Sequence, residues 1–109
     1  MKKVKVELLK PALEDIDNIA GYYARESGVK AAKKVTDGIF RSHRRIADFP
    51  LSGAFPPDEE MKKNGFRFVV SGEYISIYRI SGKTAYIYHI FHGAREYSGV
   101  FKGYLRGKA

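Results

Sequence analysis

The sequence predicts an α+β domain in which a helical hairpin packs on one face of a small, mostly antiparallel sheet, in the order β-α-α-β-β-β. Three observations support this fold class. An alternating apolar and polar segment stands near the N-terminus, two long segments repeat apolar residues every three or four positions, and three segments rich in Phe, Val, Ile and Tyr follow. With 109 residues, the chain has the length of one domain, 1–109, with a modest core.

The first strand and the first helix are predicted from the N-terminal quarter of the chain. Residues 3–9 alternate apolar and polar side chains, as a strand with one buried face does. Pro11 suits the first turn of a helix, where its missing N–H is not needed, and Gly28 suits the end of that helix. The apolar stripe expected to face the core consists of Leu13, Ile16, Ile19, Ala20 and Tyr23.

A second helix is predicted over residues 29–48, and together the two helices form an αα-hairpin. Gly38 lies inside this helix, which indicates that the two helices pack closely there, and His43 is expected near the basic face. The predicted apolar stripe consists of Val29, Ala32, Val35, Ile39, Ile46 and Phe49. The opposite, basic face carries Lys30, Lys33, Lys34, Arg41, Arg44 and Arg45.

A connector and a three-stranded meander complete the predicted fold. Pro50 disfavours helical geometry in the residue before it, and residues 50–65 contain several turn dipeptides, so they are expected to form an irregular connector. Because 16 residues are many for a structureless loop, we expect this connector to pack on the domain or to move. Strands are predicted over residues 66–71, 73–80 and 84–92, while the tail 97–109 is compatible with a short strand, a helical turn or a mobile end.

The composition limits the classes of function. The formal net charge of +8 attracts polyanions such as nucleic acid or the ribosome, or an acidic protein partner, although a merely well-solvated basic surface is an alternative. The chain has no cysteine, which excludes disulfides, thiolate metal sites and thiol catalysis. No secretion signal and no apolar run of membrane-spanning length is recognised, so the expected location is the cytoplasm.

Four cationic residues near strand ends are the candidates for catalysis: Arg67, Arg79, His92 and Arg95. RNA cleavage without a metal needs a base, an acid and positive charge around the phosphate, and these residue types supply all three. The alternative is that they are surface cations, sheet-edge ion pairs or contacts for a protein partner. No phosphate-binding loop or metal-ligand spacing is present, so no cofactor and no metal are expected. His89 and His92, three apart in a predicted strand, are expected on opposite faces.

Five segments, in this order and spacing, resemble the ParE/RelE superfamily of toxins from type II toxin–antitoxin systems, which includes plasmid stabilisation proteins. The resemblance covers roughly residues 3–101. The segments are ALEDIDNIAGYY at 12–23, FPLSG at 49–53, GFR at 65–67, YISIYRI at 74–80 and IYHIFHGAREY at 87–97. It implies a toxin that is neutralised by a cognate, usually acidic antitoxin, in a toxin–antitoxin hetero-oligomer.

The resemblance implies two mechanisms. RelE-like members cut mRNA on the ribosome with two arginines and a tyrosine, and those positions correspond here to Ile75, Arg95 and Phe101. ParE-like members lack that set and inhibit DNA gyrase by binding it. Isoleucine and phenylalanine offer neither charge nor hydroxyl, so we favour the ParE-like mechanism. The alternatives are a metal-independent endoribonuclease of the RelE type, which Arg67, Arg79 and His92 can still support, and a diverged, non-toxic binding module.

Overall fold

The structure, a computed structural model, describes residues 2–93. The predicted order of strands and helices is confirmed, with one addition, a short helix in the connector. The elements are β1 (Lys5–Leu8), α1 (Lys10–Ser27), α2 (Val29–Asp48), α3 (Glu59–Lys63), β2 (Phe66–Ser71), β3 (Tyr74–Ser81) and β4 (Thr84–His92). The predicted strand, turn or mobile end at 97–109 lies outside the described residues.

The four strands form one sheet in the order β1-β4-β3-β2. β2, β3 and β4 are an antiparallel meander, and β1 joins β4 in parallel because α1 and α2 carry the chain back across the sheet. Gly72 and Gly82 occupy the two hairpin turns with positive φ, a conformation that side-chain-bearing residues rarely adopt. The register of the β3–β4 pair shifts between Ile77 and Tyr78, which indicates a β-bulge in β4.

The main core lies between the helical hairpin and one face of the sheet. Its buried members are Ala12, Ile16, Ile19, Ile39, Ile46, Val69, Tyr74, Tyr78, Ala85, Ile87 and Ile90. Three residues of the predicted stripes are instead exposed: Leu13 by 52%, Val29 by 77% and Phe49 by 66%. Val29 begins α2 and Phe49 follows its last residue, so both extend beyond the part of the helix that covers the sheet.

Two details of α2 also differ from the prediction. His43 is buried rather than near the basic face, because it follows Ile39 by four residues and precedes Ile46 by three, on the same side of the helix. The close neighbour of Gly38 is not α1 but β2, since a Cβ on Gly38 would lie 3.0 Å from Oγ of Ser71.

A second, smaller core covers the opposite face of the sheet. It contains Met61, Phe66, Ile75, Ile77 and Phe91. Met61 comes from α3, so the expectation of a wholly irregular connector was wrong. The side chain of Asp58 caps α3 by accepting a hydrogen bond from the Met61 N–H at 3.1 Å, and acidic residues precede basic ones along this helix, as its dipole favours.

Neither membrane spans nor metal-binding groups are found in the part of the chain that the structure describes. None of the helices within residues 2–93 is long and apolar enough to cross a membrane. The same residues contain no group of three or more His, Asp or Glu side chains placed to hold a metal ion.

Candidate functional site

The strand register separates the candidate catalytic residues. Arg79 pairs with Phe66, and Arg67 pairs with Tyr78, so both arginines lie at one end of the meander. His92 pairs with Tyr74 at the other end. Tyr74 and Arg79 are five residues apart on β3, which corresponds to about 17 Å in a strand. Arg95 lies outside the described residues.

Arg67 is engaged by the first part of the connector. One terminal nitrogen of its guanidinium, Nη1, donates to the carbonyl oxygens of Leu51 and Gly53 at 3.1 and 2.8 Å. The guanidinium carbon lies 4.3 Å from the centre of the Phe55 ring, a cation–π arrangement. Arg67 therefore acts as a tie between β2 and the connector in this structure.

Tyr78 holds the same segment from inside the core. Its hydroxyl donates to the Pro50 carbonyl at 2.7 Å and accepts from the Gly53 N–H at 3.0 Å. Burial raises the pKa of the Tyr78 hydroxyl, an effect that the hydrogen bond from Gly53 and the charge of Arg67 oppose. A Cβ on Gly53 would overlap this hydroxyl, so the segment FPLSG at 49–53 requires glycine at its last position.

Arg79 is layered among aromatic rings and the end of the connector. Its guanidinium carbon lies 4.7 Å from the ring centre of Phe66 and 5.4 Å from that of Tyr88. Nη2 donates to the Tyr88 hydroxyl at 2.9 Å, and Nη1 donates to the Asn64 carbonyl at 3.4 Å. At this end of the sheet, both arginines hold residues 50–65 in place.

The other end of the sheet forms a polar cleft beside α1, which we call the histidine cleft. Its volume is about 320 Å³, and it is lined by Asp15, Asn18, Ile19, Tyr74, His89, Ile90, Phe91 and His92. His89 and His92 lie on opposite faces of β4, as expected, because His89 pairs with Ile77 of the second core and His92 pairs with Tyr74 of the main core. Both residues still line this cleft.

Carboxylates order both histidines of this cleft. Asp15 Oδ2 lies 3.1 Å from Nδ1 of His89 and also accepts the Ile90 N–H at 2.8 Å. Glu73 Oε2 lies 3.2 Å from Nε2 of His92. The sequence placed neither Asp15 nor Glu73 in a candidate site. The position of Asp15 on α1 was visible in the sequence, but its partner 74 residues later was not.

His43 belongs to the core rather than to a site. Its Nε2 lies 2.9 Å from Oγ of Ser76, and its buried Nδ1 has no hydrogen-bond partner among residues 2–93. Burial lowers the pKa of His43 to about 4, so the ring is neutral at physiological pH. The neutral imidazole satisfies Ser76 without placing a charge between α2 and the sheet.

The position that corresponds to the first RelE-like arginine is buried. Ile75 is 8% exposed and packs in the second core with Ile77 and Phe91. An arginine there would have to leave that core to reach a substrate. Phe101, the position that corresponds to the tyrosine, lies outside the described residues.

The fold of the described residues, a helical hairpin on a four-stranded sheet, is similar to that of solved structures. One solved structure with this fold is a chromosomal ParDE toxin–antitoxin system from P. aeruginosa, with a TM-score of 0.69, 22% identity, and coverage of 83% of this chain and 96% of that one. Another is the RelBE2 toxin–antitoxin complex from Mycobacterium tuberculosis, with a TM-score of 0.59, 20% identity, and coverage of 84% and 93%.

The family assignment rests on the sequence itself. The profile of the family described as "ParE toxin of type II toxin-antitoxin system, parDE" matches residues 6–97. The chain therefore belongs to the ParE toxin family and is the toxin component of a type II toxin–antitoxin system. No curated protein sequence matches it.

Proposed function

We propose that this toxin stops growth by binding and inhibiting DNA gyrase, and that it does not cut RNA. The observation that carries the proposal is the use of the candidate catalytic cations at the connector end of the sheet. Arg67 and Arg79 donate hydrogen bonds to backbone carbonyls and to the Tyr88 hydroxyl, and their guanidinium carbons lie over aromatic rings. A group that stabilises a phosphorane needs donors directed at the substrate instead.

The buried isoleucine in β3 supports the same proposal. A RelE-like nuclease needs a cation at the position of Ile75, and here that side chain fills the second core. Two of the candidate catalytic arginines are engaged and a third expected cation is replaced by a core residue. The candidate catalytic positions that the structure describes therefore offer little positive charge around one common point. Binding to a protein target requires no such point.

An endoribonuclease remains the second candidate, and one observation favours it. His89 and His92 share a cleft with Tyr74, and a pair of histidines can act as base and acid toward a ribose 2′-hydroxyl and a leaving oxygen. The distance from this cleft to Arg67 and Arg79 counts against it, because the cleft would have to take its phosphate-stabilising charge from elsewhere.

We also propose that a cognate acidic antitoxin neutralises this toxin by forming a hetero-oligomer with it. The two similar solved structures are toxin–antitoxin complexes, and the formal net charge of +8 favours an acidic partner. Exposed apolar side chains on the hairpin, including Leu13 and Tyr22 on α1, offer surface for such a partner to cover. Coexpression of a neighbouring acidic reading frame should restore growth to cells that express the toxin.

The gyrase proposal is tested by a supercoiling assay with purified gyrase, relaxed plasmid and the full chain. We expect inhibition at toxin concentrations comparable to those that arrest growth, and release of inhibition when the antitoxin is added first. The Gly53→Ala variant, which we expect to fold poorly, serves as the inactive control. Full supercoiling activity at growth-arresting concentrations of toxin would refute gyrase as the target.

A further inference from the structure

The outer face of α2 carries a row of cations that the proposed function does not use. This face is the side of the helix opposite its buried residues Ala32, Ile39, Ser42, His43 and Ile46. Its cations are all exposed and are Lys30, Lys33, Lys34, Arg41, Arg44 and Arg45. At 1.5 Å per residue, the row from Lys30 to Arg45 is about 22 Å long.

The two acidic residues of α2 do not neutralise this row. Asp37 is ion-paired with Lys33 at 2.6 Å, and Asp48 is ion-paired with Lys3, outside the row, at 3.5 Å. Within residues 2–93, Lys33 is the one member of the row that takes part in an ion pair. Five cations therefore face solvent without a carboxylate partner in the described structure.

Several members of the row work against the stability of the helix that carries it, although Arg45 in the last turn is favoured by the helix dipole. Like charges three or four residues apart, such as Lys30 with Lys34 and Arg41 with Arg45, each cost about 0.2–0.5 kcal/mol. Lys30 and Lys33 also lie near the N-terminus of α2, where the helix dipole disfavours positive charge. Stability of the fold does not account for the row, which points to a ligand outside the domain.

A shallow depression lies within the row. It has a volume of about 290 Å³ and is lined by Lys30, Lys33, Lys34, Asp37 and Arg41. Because Asp37 is held by Lys33, the side chains of Lys30, Lys34 and Arg41 set the positive potential of this depression. Its positive charge suits a phosphate group.

We propose that the outer face of α2 binds the phosphate backbone of double-stranded DNA without reading its sequence. The face would contact DNA whether or not gyrase is the target. If gyrase is the target, the same contact places the toxin on the DNA that gyrase holds.

Two features favour DNA over an acidic protein. A protein interface has an apolar centre, whereas the positions along the middle of this row are cations and Asp37. The exposed apolar residues of α2, Val29 and Phe40, lie beside the row rather than within it. A phosphate backbone requires only cations at suitable spacing.

The shape of the face favours B-form DNA over double-stranded RNA. α2 is one uninterrupted helix of 20 residues whose inner side is packed on the sheet, so the row is presented as a straight, rigid edge. The major groove of B-DNA, about 12 Å wide, and the phosphates that border it accept such an edge, whereas the major groove of A-form RNA is too narrow.

The test measures binding of a fluorescent 20-base-pair DNA duplex to the full chain by anisotropy. With about four phosphate contacts, we expect affinity to fall about a hundredfold when salt is raised from about 50 to about 200 mM. A variant with Lys34→Glu, Arg41→Glu and Arg44→Glu should bind the duplex at least about tenfold more weakly. The matched control carries Lys5→Glu, Lys63→Glu and Lys83→Glu, exposed positions away from α2 that change the net charge equally, and it should bind nearly as wild type.

Three outcomes would overturn the proposal. Equal loss of binding in both triple variants would show that the attraction comes from the general charge of the protein. Tighter binding of polyglutamate than of the duplex would assign the face to an acidic protein, and equal affinity for duplex RNA would remove the preference for DNA. Replacement of the same three α2 residues by glutamine repeats the test if charge reversal prevents folding. Gyrase inhibition is not read in this assay, so its result is independent of the proposed target.

Discussion

At one end of the sheet, Arg67, Tyr78 and Arg79 hold the connector against the domain, whereas at the other end His89 and His92 line a cleft beside α1. Both ends have polar and aromatic side chains at the termini of strands, which is the pattern that suggested catalysis. Their contacts differ. At the connector end, the side chains of Arg67, Tyr78 and Arg79 donate hydrogen bonds to the protein's own groups, whereas the histidine cleft has an open volume of about 320 Å³. Residue type at a strand end therefore does not distinguish a structural tie from a reactive group.

The largest expected effect is at Gly53, where the connector end allows no added atom. Gly53→Ala should lower the free energy of unfolding by about 3 kcal/mol, because the new methyl group overlaps the Tyr78 hydroxyl in a packed core. Urea denaturation measures it. The neighbouring exposed substitution Ser52→Ala should change stability by less than about 0.5 kcal/mol, and an equally small effect of Gly53→Ala would contradict a rigidly held connector.

Lowering the pH should reduce the free energy of unfolding by a comparable amount through His43, which lies between the two ends of the sheet. The pKa in the folded protein is about 4 against 6.5 for an unperturbed histidine, so the unfolded state binds the proton first as pH falls. The stabilisation that the neutral His43 side chain provides is fully present above pH 6.5 and is lost as the pH falls toward 4. The total loss is about 3 kcal/mol. Since carboxylates also titrate there, the readout is the difference between wild type and His43→Gln. Parallel pH profiles for the two proteins would contradict a neutral, buried histidine.

A smaller effect is expected from Tyr78→Phe, which keeps the ring and removes the hydroxyl. The Gly53 N–H and the Pro50 carbonyl then lose a buried partner, which should cost about 2 kcal/mol. Tyr86→Phe on the next strand is the matched control, with an expected change below about 0.5 kcal/mol. Thermal unfolding of both variants compares them directly, and equal melting temperatures would show that the hydroxyl does not hold the connector.

The smallest effect on stability is expected in the histidine cleft. His92→Ala removes a hydrogen bond to the largely exposed Glu73 and a ring contact with Tyr74, for about 1 kcal/mol. Because we propose that the toxin is not a nuclease, growth arrest by this variant should match wild type at equal protein level. Loss of toxicity in a variant that remains folded would favour the second candidate function, an endoribonuclease.

Local sequence patterns predicted the elements well where their ends are marked by residues with strong conformational preferences. α2 begins directly after Gly28 and ends before Phe49-Pro50, so its bounds agree with the predicted range of 29–48. The prediction failed where long-range contacts decide. α3 has only five residues and depends on burying Met61 in the second core, and the cleft that His89 and His92 line depends on the packing of α1 beside β4.

The site could be predicted only as a set of residue types. Arg67 and Arg79 were recognisable as cations at strand ends, but their engagement by the connector depends on contacts 14 to 16 residues away in sequence. Ile75 is buried because α3 packs on its side of the sheet. The sequence did not predict which side α3 covers, since β3 has apolar residues on both faces. The family profile supplied the class of protein, and the contacts supplied the argument about mechanism.

Mapping the ends of cellular mRNA after induction of the toxin tests the absence of nuclease activity most directly. The account predicts that cells stop growing with no new transcript ends, and that His89→Ala and His92→Ala arrest growth as wild type does. New cuts within reading frames that appear with wild type and disappear in both histidine variants would contradict it, and would identify the histidine cleft as a ribonuclease site.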